Sequence, residues 1–283
     1  MPLSADELKT LRPDLLAGAD LLANTENVGI KKAGTPALRC FASAMLAGAF
    51  IAFGAMYFSL VIGDSSIPFA AQRIVGGLVF CLGLVLVLVA GGELFTGNVL
   101  MVCAASSKKI KWGATVKNWV IVWVGNLVGA LIAVFLIYAA HVADMNGGGV
   151  GAAIVSTAVS KTTSAWYTVL AKGILCNIFV CLAVWIGFAS RTVTDKIIGL
   201  ILPISAFVAA GFEHCVANMF FLPMGYILQN LSSNPAIAAV AGTVTMPGIL
   251  MNLCFATIGN LIGGGICVGL MYWFIYHPKK ATA

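Results

Sequence analysis

The chain has 283 residues, of which 60% are hydrophobic and 9% are charged. Soluble globular domains carry about a quarter charged residues, so this composition excludes that class and indicates a membrane protein. The formal net charge is +6. Because the basic residues fall between apolar stretches, they indicate membrane topology and not nucleic-acid binding.

Residues 1–39 form the only sizeable polar segment. Ser4 to Glu7 fits a capping box, and Pro13 suits the first turn of a helical stretch that contains Leu21 and Leu22. This pattern is typical of an amphipathic helix at a bilayer surface. We therefore predict a cytoplasmic amino-terminal segment, 1–39, with an amphipathic helix, and a gating role for it stays an alternative.

Six apolar stretches follow residue 39. A bilayer core about 30 Å thick is crossed by a helix of roughly 20 apolar residues, so the second and fifth stretches are too long for one plain span and are predicted to be interrupted. We predict an all-α membrane protein with a six-helix transmembrane domain, 40–276, and a short cytoplasmic tail, 277–283. The six stretches are 40–62, 68–103, 115–140, 165–189, 197–229 and 248–276.

The positive residues alternate between the ends of these stretches. Most of the 16 Lys and Arg residues lie before the first stretch, after the second, after the fourth or after the sixth. Because cytoplasmic loops carry the excess of positive charge, we expect six spans in a plasma (inner) membrane, with both termini cytoplasmic. The residues on or near the other side are Arg73, Lys161 and Lys172.

The eight cysteines lie within the apolar stretches or at their ends and form no Cys-x-x-Cys pair. A cysteine in that setting is most often a small buried hydrophobe, so we expect no disulfide, no metal site and no cofactor. The first apolar stretch begins near Cys40 and is long enough to span a bilayer, so we expect no cleavable secretory signal.

A Glu is followed five residues later by an Asn once in each half of the sequence. The first pair is Glu93 and Asn98, and the second is Glu213 and Asn218. Duplicated halves of this kind are common in membrane proteins. Since three spans are an odd number, the second half enters the bilayer from the opposite side, and we predict two inverted three-helix repeats.

A second motif, Gly-Asn-x-x-Gly, also occurs once in each half, at 125–129 and 259–263. The glycines on their own suit close packing of helices. Asn126 and Asn260, however, are polar amides at lipid depth and need hydrogen-bond partners. We therefore expect them to have a structural or electrostatic role.

Ionisable residues lie near the middle of the two longest stretches, at Glu93, Glu213 and His214. A charge at that depth costs at least about 2.5–3.5 kcal/mol, so each is a functional candidate. The alternative for each Glu is a brace that accepts hydrogen bonds from broken backbone, and the matched positions favour this role. Each break also begins a new half-helix, whose N–H groups and dipole favour an anion.

His214 is the only one of three histidines within a span. A lone buried histidine is usually structural, but its place in a break at the duplicated position favours function. A neutral ring there can donate a hydrogen bond or exchange a proton with a weak acid in transit. Phe80, Leu84 and Phe207 near the breaks are either core residues or pore constrictions, and Lys161 is either a solvated loop charge or a cation that attracts anions.

Three segments resemble the signatures of formate/nitrite transporters, closest to the formate channel branch. They are residues 93–98, 173–185 and 211–220, and the likeness extends over roughly 13–276. The resemblance implies an aquaporin-like fold, a homopentamer with one pore per protomer, and a small anionic substrate such as formate. It also implies acid-dependent gating near residues 13–35.

The same resemblance implies roles for individual residues. Thr96 faces His214 across the pore, and Lys161 is the vestibule lysine that attracts the anion. Asn177 and Asn218 are polar neighbours of the central site, and Phe80, Leu84 and Phe207 form two hydrophobic constrictions. The implied mechanism is passage of a weak-acid anion that is linked to protons through His214, with plain anion channelling left open.

The sequence departs from the formate channel pattern chiefly at three places, and its loop between the fifth and sixth spans is shorter. Glu93 stands where that branch has Asp, Gly97-Asn98 where it has Ser-Thr, and Thr162-Thr163 where a His pair follows the lysine. These departures leave the substrate open. Formate is the first choice, and nitrite, hydrosulfide, acetate and lactate are alternatives.

Rival functions fit the sequence less well. Asn234-Pro235-Ala236 suggests a water or glycerol channel, but the tripeptide occurs once, in a polar loop. A haem-binding redox subunit or membrane enzyme would need two intramembrane histidines on facing helices, and only His214 qualifies, so no enzymatic activity is expected. A purely structural scaffold does not explain ionisable groups in two matched breaks.

Overall fold

The computed structural model describes residues 15–277, which are mainly helical and contain no β-strand. This confirms the all-α prediction. The predicted capping box at Ser4 to Glu7, Pro13 and most of the tail lie outside the described residues.

The structure consists of thirteen α-helices within the described residues, numbered here in chain order, and several of them are joined end to end. The third continues into a π-helix at Leu86–Gly91, and the twelfth into a π-helix at Ile262–Leu270, which leads into the thirteenth. The helices are α1 (Gly18–Ala33), α2 (Ala37–Ile62), α3 (Phe69–Val85), α4 (Phe95–Asn98), α5 (Val102–Ser106), α6 (Trp112–Ala139), α7 (Gly149–Thr163), α8 (Trp166–Ala189), α9 (Val193–Ala209), α10 (Cys215–Leu231), α11 (Pro235–Val240), α12 (Met246–Leu261) and α13 (Met271–Tyr276).

Five helical segments in the described part of the chain are long and apolar enough to cross a membrane. They are Ala37–Ile62, Phe69–Gly91, Trp112–Ala139, Trp166–Ala189 and Met246–Tyr276. The stretch predicted at 197–229, which was expected to be interrupted, is divided into α9 and α10, each of 17 residues. Each is near the lower limit for a span on its own.

The structure contains two helices that sequence reasoning missed. Helix α7 occupies a segment expected to be a loop, and it is too short to stand out as a membrane span. Helix α11 begins at Pro235, where the Asn234 side chain accepts a hydrogen bond from the Ala236 N–H. The tripeptide that suggested a water channel is therefore a helix cap.

Helix α1 packs against the body of the protein. Leu21 and Leu22 are buried in a cluster with Val99, Val102 and Val184. The Asn24 amide donates to the Phe188 carbonyl at 3.0 Å. The apolar face of this amphipathic helix is thus covered by protein.

Glycines allow the closest helix contacts, and they do so at equivalent points in the two halves. A β-carbon at Gly129 on α6 would overlap the Met45 carbonyl on α2, and one at Gly263 would overlap the Ile174 carbonyl on α8. Backbone approach of this kind replaces the hydrophobic drive that lipid does not provide. Both Gly-Asn-x-x-Gly motifs therefore serve in packing, as their glycines suggested.

We expect Gly129→Ala to lower the stability of the detergent-solubilised protein by about 1–3 kcal/mol, because the added methyl group forces α2 and α6 apart. Gly113→Ala, on the same helix, is the control, since a β-carbon there meets no atom within 4 Å. Thermal unfolding followed by size-exclusion chromatography measures both. Equal midpoints for the two variants would contradict the packing role.

Candidate functional site

The first break separates α3 and its π-helical extension from α4. Gly91 has φ +99°, a value that glycine adopts without strain, and Gly92 and Leu94 are extended. The backbone is therefore non-helical over residues 92–94, with Glu93 at the centre of the break. The Glu93 N–H donates to the Ser43 carbonyl at 3.3 Å, which ties the break to α2.

The second break separates α9 from α10 and has the same design. Gly211 has φ +70°, and His214 is extended at the amino-terminal cap of α10. The Glu213 N–H donates to the Lys172 carbonyl at 3.4 Å, which ties this break to α8. Each Glu thus lies in a non-helical segment whose backbone is held by a neighbouring helix.

Two buried asparagines hold the broken backbone. The Asn126 side chain accepts from the Phe95 N–H at 2.9 Å and donates to the carbonyls of Ala44 and Glu93. The Asn260 side chain accepts from the Cys215 N–H at 2.9 Å and donates to the carbonyls of Gly173 and Glu213. The first N–H group of each half-helix is therefore occupied by an amide and does not face an anion.

Each Glu side chain is the centre of a buried polar network. Glu93 accepts from Lys32 at 2.8 Å and from Asn98 at 2.6 Å, and Asn98 also donates to Asn118. Glu213 accepts from Lys161 at 2.9 Å, from Asn218 at 2.6 Å and from Asn252 at 3.3 Å. The second network is the more deeply buried, because Glu213 is 2% exposed and Glu93 is 15% exposed.

Lys161 was predicted to be either a solvated loop charge or a free cation that attracts anions, and the structure shows it in an ion pair. It lies near the end of α7, is 13% exposed and is paired with Glu213. A buried carboxylate needs a cation close by. The ammonium of Lys161 meets that need, and the carboxylate of Glu213 in turn neutralises most of the positive charge of Lys161. Lys161 lines the outer cavity described below, but as half of a pair.

His214 and Thr96 meet between the two breaks. The Thr96 hydroxyl lies 3.0 Å from His214 Nε2, and both side chains are buried. This joins α4 to the start of α10 directly. The structure therefore brings together the two residues that sequence analysis placed opposite each other.

The hydrogen bonds of His214 determine its tautomer. Nδ1 accepts from the Ala217 N–H at 3.1 Å, and a backbone amide can only donate. In the neutral ring the proton is therefore on Nε2, which donates to the Thr96 hydroxyl oxygen. The Thr96 hydroxyl hydrogen is then left to donate to another oxygen. A second proton on the ring would go to Nδ1 and would displace the Ala217 bond.

A cavity of ≈ 780 Å³ reaches His214 from one end of the molecule, which we call the outer cavity. Its mouth includes the exposed Phe69, and Phe80 and Phe207 line its inner end. Phe207 lies 5.9 Å from Phe80, edge to face, and stacks on His214 at 5.8 Å. These rings close the inner end of the cavity.

Leu84 and Thr96 do not line the outer cavity. Leu84 is buried one helical turn beyond Phe80 on α3, and Thr96 is buried in contact with His214. Phe80 and Phe207, predicted on different spans, contact each other at the inner end of this cavity. Leu84 is buried in the protein core behind it.

Asn177 braces the backbone around the central contact, and Asn218 binds the side chains of the second network. Asn177 donates to the carbonyls of Thr96 at 3.2 Å and Asn260 at 2.6 Å. Asn218 lines the outer cavity and donates to Glu213 and Asn252. The side-chain oxygens of Asn177 and Asn218 are buried without a hydrogen-bond partner, so each can accept from a donor that enters the site.

Sequence reasoning missed three members of the networks, Lys32, Asn118 and Asn252. Two of them carry a signal in the repeat, because Asn118 precedes Asn126 by the same eight residues that separate Asn252 from Asn260. Lys32 has no such signal. It lies 61 residues from Glu93, whereas Lys161 lies 52 residues from Glu213.

The family profile described as formate/nitrite transporter matches residues 19–274. The chain belongs to the formate/nitrite transporter family. Formate channel FocA of Escherichia coli strain K12 is 40% identical over 271 residues, which cover 93% of this chain and 95% of that protein. FocA of Haemophilus influenzae is 36% identical over 280 residues, which cover 96% of this chain and 98% of that protein.

Solved structures of formate/nitrite transporters also resemble this formate/nitrite transporter. A structure titled pentameric formate channel with formate bound superposes with a TM-score of 0.79 at 37% identity, over 86% of this chain and 98% of that one. One titled FNT family ion channel superposes with a TM-score of 0.77 at 29% identity, over 90% and 98%. The resemblance seen in the sequence is confirmed, and the chain is an integral membrane transporter and not an enzyme.

Proposed function

We propose that this chain is a transmembrane channel or transporter for formate and related small monovalent weak-acid anions. The observation that carries the proposal is the Thr96–His214 contact at the closed end of the outer cavity, between two matched breaks. The curated relatives named above are formate channels, and the solved structure of one channel has formate bound. Nitrite, hydrosulfide, acetate and lactate are alternative cargoes of the same site.

The proposed topology has six membrane-crossing segments in two inverted halves. The arrangement is aquaporin-like, with the second and fifth segments interrupted and both termini cytoplasmic. Matching hydrogen bonds support it, since Asn126 and Asn260 hold the two breaks through equivalent atoms. The Glu–Lys pairs at the breaks add a second match. The distribution of positive residues supports the orientation, with the outer cavity facing away from the cytoplasm of a plasma (inner) membrane.

A homopentamer with one pore per protomer is the proposed assembly. A structural neighbour is titled pentameric. Large apolar side chains on the outside of the helices, such as Phe135 and Leu202, are 68% and 76% exposed in the single chain. Lipid and neighbouring protomers are suitable partners for such a surface, and no nucleic acid or cofactor is part of the proposal.

In the proposed mechanism the anion enters the outer cavity and loses water at the Phe80–Phe207 constriction. Loss of water disfavours the charged form of a weak acid. The Thr96 hydroxyl, whose oxygen accepts from His214 Nε2, donates to an oxygen of the cargo. The unpartnered oxygen of Asn218 can accept the hydrogen of the protonated acid.

Proton linkage through His214 is part of the proposal. The resting ring donates through Nε2 and accepts at Nδ1, so it can gain a proton only if the Ala217 N–H leaves Nδ1. Protonation therefore loosens the cap of α10 and couples acid to movement of the second break. Asn177 and Asn260, together with the Glu networks, keep the rest of the break in place.

Uptake of labelled formate into proteoliposomes tests the function. We expect saturable uptake above that of protein-free vesicles, with nitrite competing more strongly than lactate because the constriction between Phe80 and Phe207 is narrow. Glycerol permeation is the control for the water-channel alternative. If nitrite or hydrosulfide moves and formate does not, the substrate assignment is wrong; if no anion moves, the proposed function is wrong.

A further inference from the structure

Arg73 lies on α3 and lines the outer cavity. Its Nε donates to the Ala209 carbonyl at 2.8 Å and its Nη2 to the Val208 carbonyl at 3.0 Å. These carbonyls are at the carboxy-terminal end of α9, next to the second break. Because that end of a helix carries partial negative charge, it would repel an anion in the cavity if it were left uncovered.

The Arg73 guanidinium also lies 5.6 Å from the centre of the Phe58 ring, which lines the same cavity. The planar group is therefore fixed on two sides, by carbonyls and by an aromatic face. Bonds to the two carbonyls use two of its five N–H donors. Within the described part of the chain, Arg73 Nη1 forms no hydrogen bond. Its N–H groups are therefore available to a ligand.

The charges that line the cavity are not equivalent. Lys161 is paired with Glu213, and Glu213 is the one carboxylate among the lining residues. Arg73 and Lys172 form no ion pair with a carboxylate in the described part of the chain. Of these two cations, Arg73 has its head group held in place by hydrogen bonds.

We infer that Arg73 is the residue that first holds the substrate anion in the outer cavity, and that Lys161 acts mainly as the partner of Glu213. The inference rests on the proposed function and adds a specificity-determining residue to it. A guanidinium presents parallel N–H groups that match a planar carboxylate, whereas an ammonium acts as a point charge. Arg73 also covers the negative end of α9, so that the anion meets positive charge on its way to His214.

Initial rates of labelled formate uptake against formate concentration test the inference in Arg73→Gln, Arg73→Lys and wild type. We expect Arg73→Gln to raise the half-saturating concentration about fivefold to tenfold, with a smaller change in maximal rate, as for loss of electrostatic attraction. Added salt should weaken wild-type uptake and affect Arg73→Gln less. Arg39→Gln is the matched control, because Arg39 is exposed at the start of α2 and does not line the cavity.

Chemical modification of a cysteine at position 73 separates the effect of the positive charge from the effect of the side chain's size and packing. Arg73→Cys is labelled in detergent, before reconstitution, with a cationic or an anionic thiosulfonate of similar size, and wild type treated in the same way controls for the native cysteines. Recovery of a low half-saturating concentration with the cationic label alone supports the inference. Equal recovery with both labels overturns it, as does an unchanged concentration dependence in Arg73→Gln.

The outcomes also separate this inference from the proposed function. Wild-type protein that moves no formate contradicts the function itself. Wild-type protein that moves formate while Arg73→Gln behaves identically at every salt concentration contradicts the role of Arg73 alone. If Arg73→Gln fails to assemble, Arg73→Lys and the two labelled forms of Arg73→Cys give the answer.

Discussion

Lys161→Met is expected to destabilise the protein by about 3–5 kcal/mol, the usual cost of removing one partner of a buried ion pair. Glu213 is 2% exposed, so water from the cavity compensates only in part for the lost ammonium group. Asn218 and Asn252 still donate to the carboxylate, but neutral amides do not balance its charge. Thermal unfolding of the solubilised protein measures the loss.

Two further variants control for the Lys161 prediction. Lys32→Met removes the equivalent cation from the first break, where Glu93 is 15% exposed, and should cost less because water screens the remaining charge. The double variant Lys161→Met/Glu213→Gln should be more stable than Lys161→Met, since it leaves no charge unpaired. A double variant less stable than the single one would contradict the account of the second break.

The sequence predicted the all-α membrane fold and the positions of both breaks because they depend on local composition. Long apolar stretches exceed one bilayer thickness, and Gly91, Gly92 and Gly211 weaken helix within them. Helix α7 was missed because its 15 residues are too few for a span and it contains mostly small residues. A short helix that packs inside the protein has no hydropathy signal of its own.

The sequence points to residues of the candidate site where the internal repeat marks them. Asn126 and Asn260 were expected to need partners, and they hold the two breaks. The pairing of Lys161 with Glu213 could not be predicted, because the residues are 52 positions apart on separate helices and no pattern links them. Arg73 was noted only for its side of the membrane, since its ligands are backbone carbonyls, which every residue has.

His214 gives the second large prediction. His214→Asn keeps the cap of α10, because an asparagine oxygen at that position can still accept from the Ala217 N–H. It removes the titratable ring and the bond to Thr96. We therefore expect a folded protein whose uptake of formate falls by about tenfold or more, because the group that transfers the proton is lost. His214→Phe, which also removes the cap, should in addition unfold at a lower temperature.

The most direct test of the central claim is uptake of labelled formate by wild type and His214→Asn as the external pH is lowered from about 7 to about 5, the range in which an ordinary imidazole titrates. The account predicts that wild-type uptake rises with acidity, because the proton that crosses with formate becomes more abundant, and that the variant shows low uptake with little pH dependence. Equal rates and equal pH dependence in the two proteins would mean that His214 only caps α10, and the proposed proton linkage would be wrong.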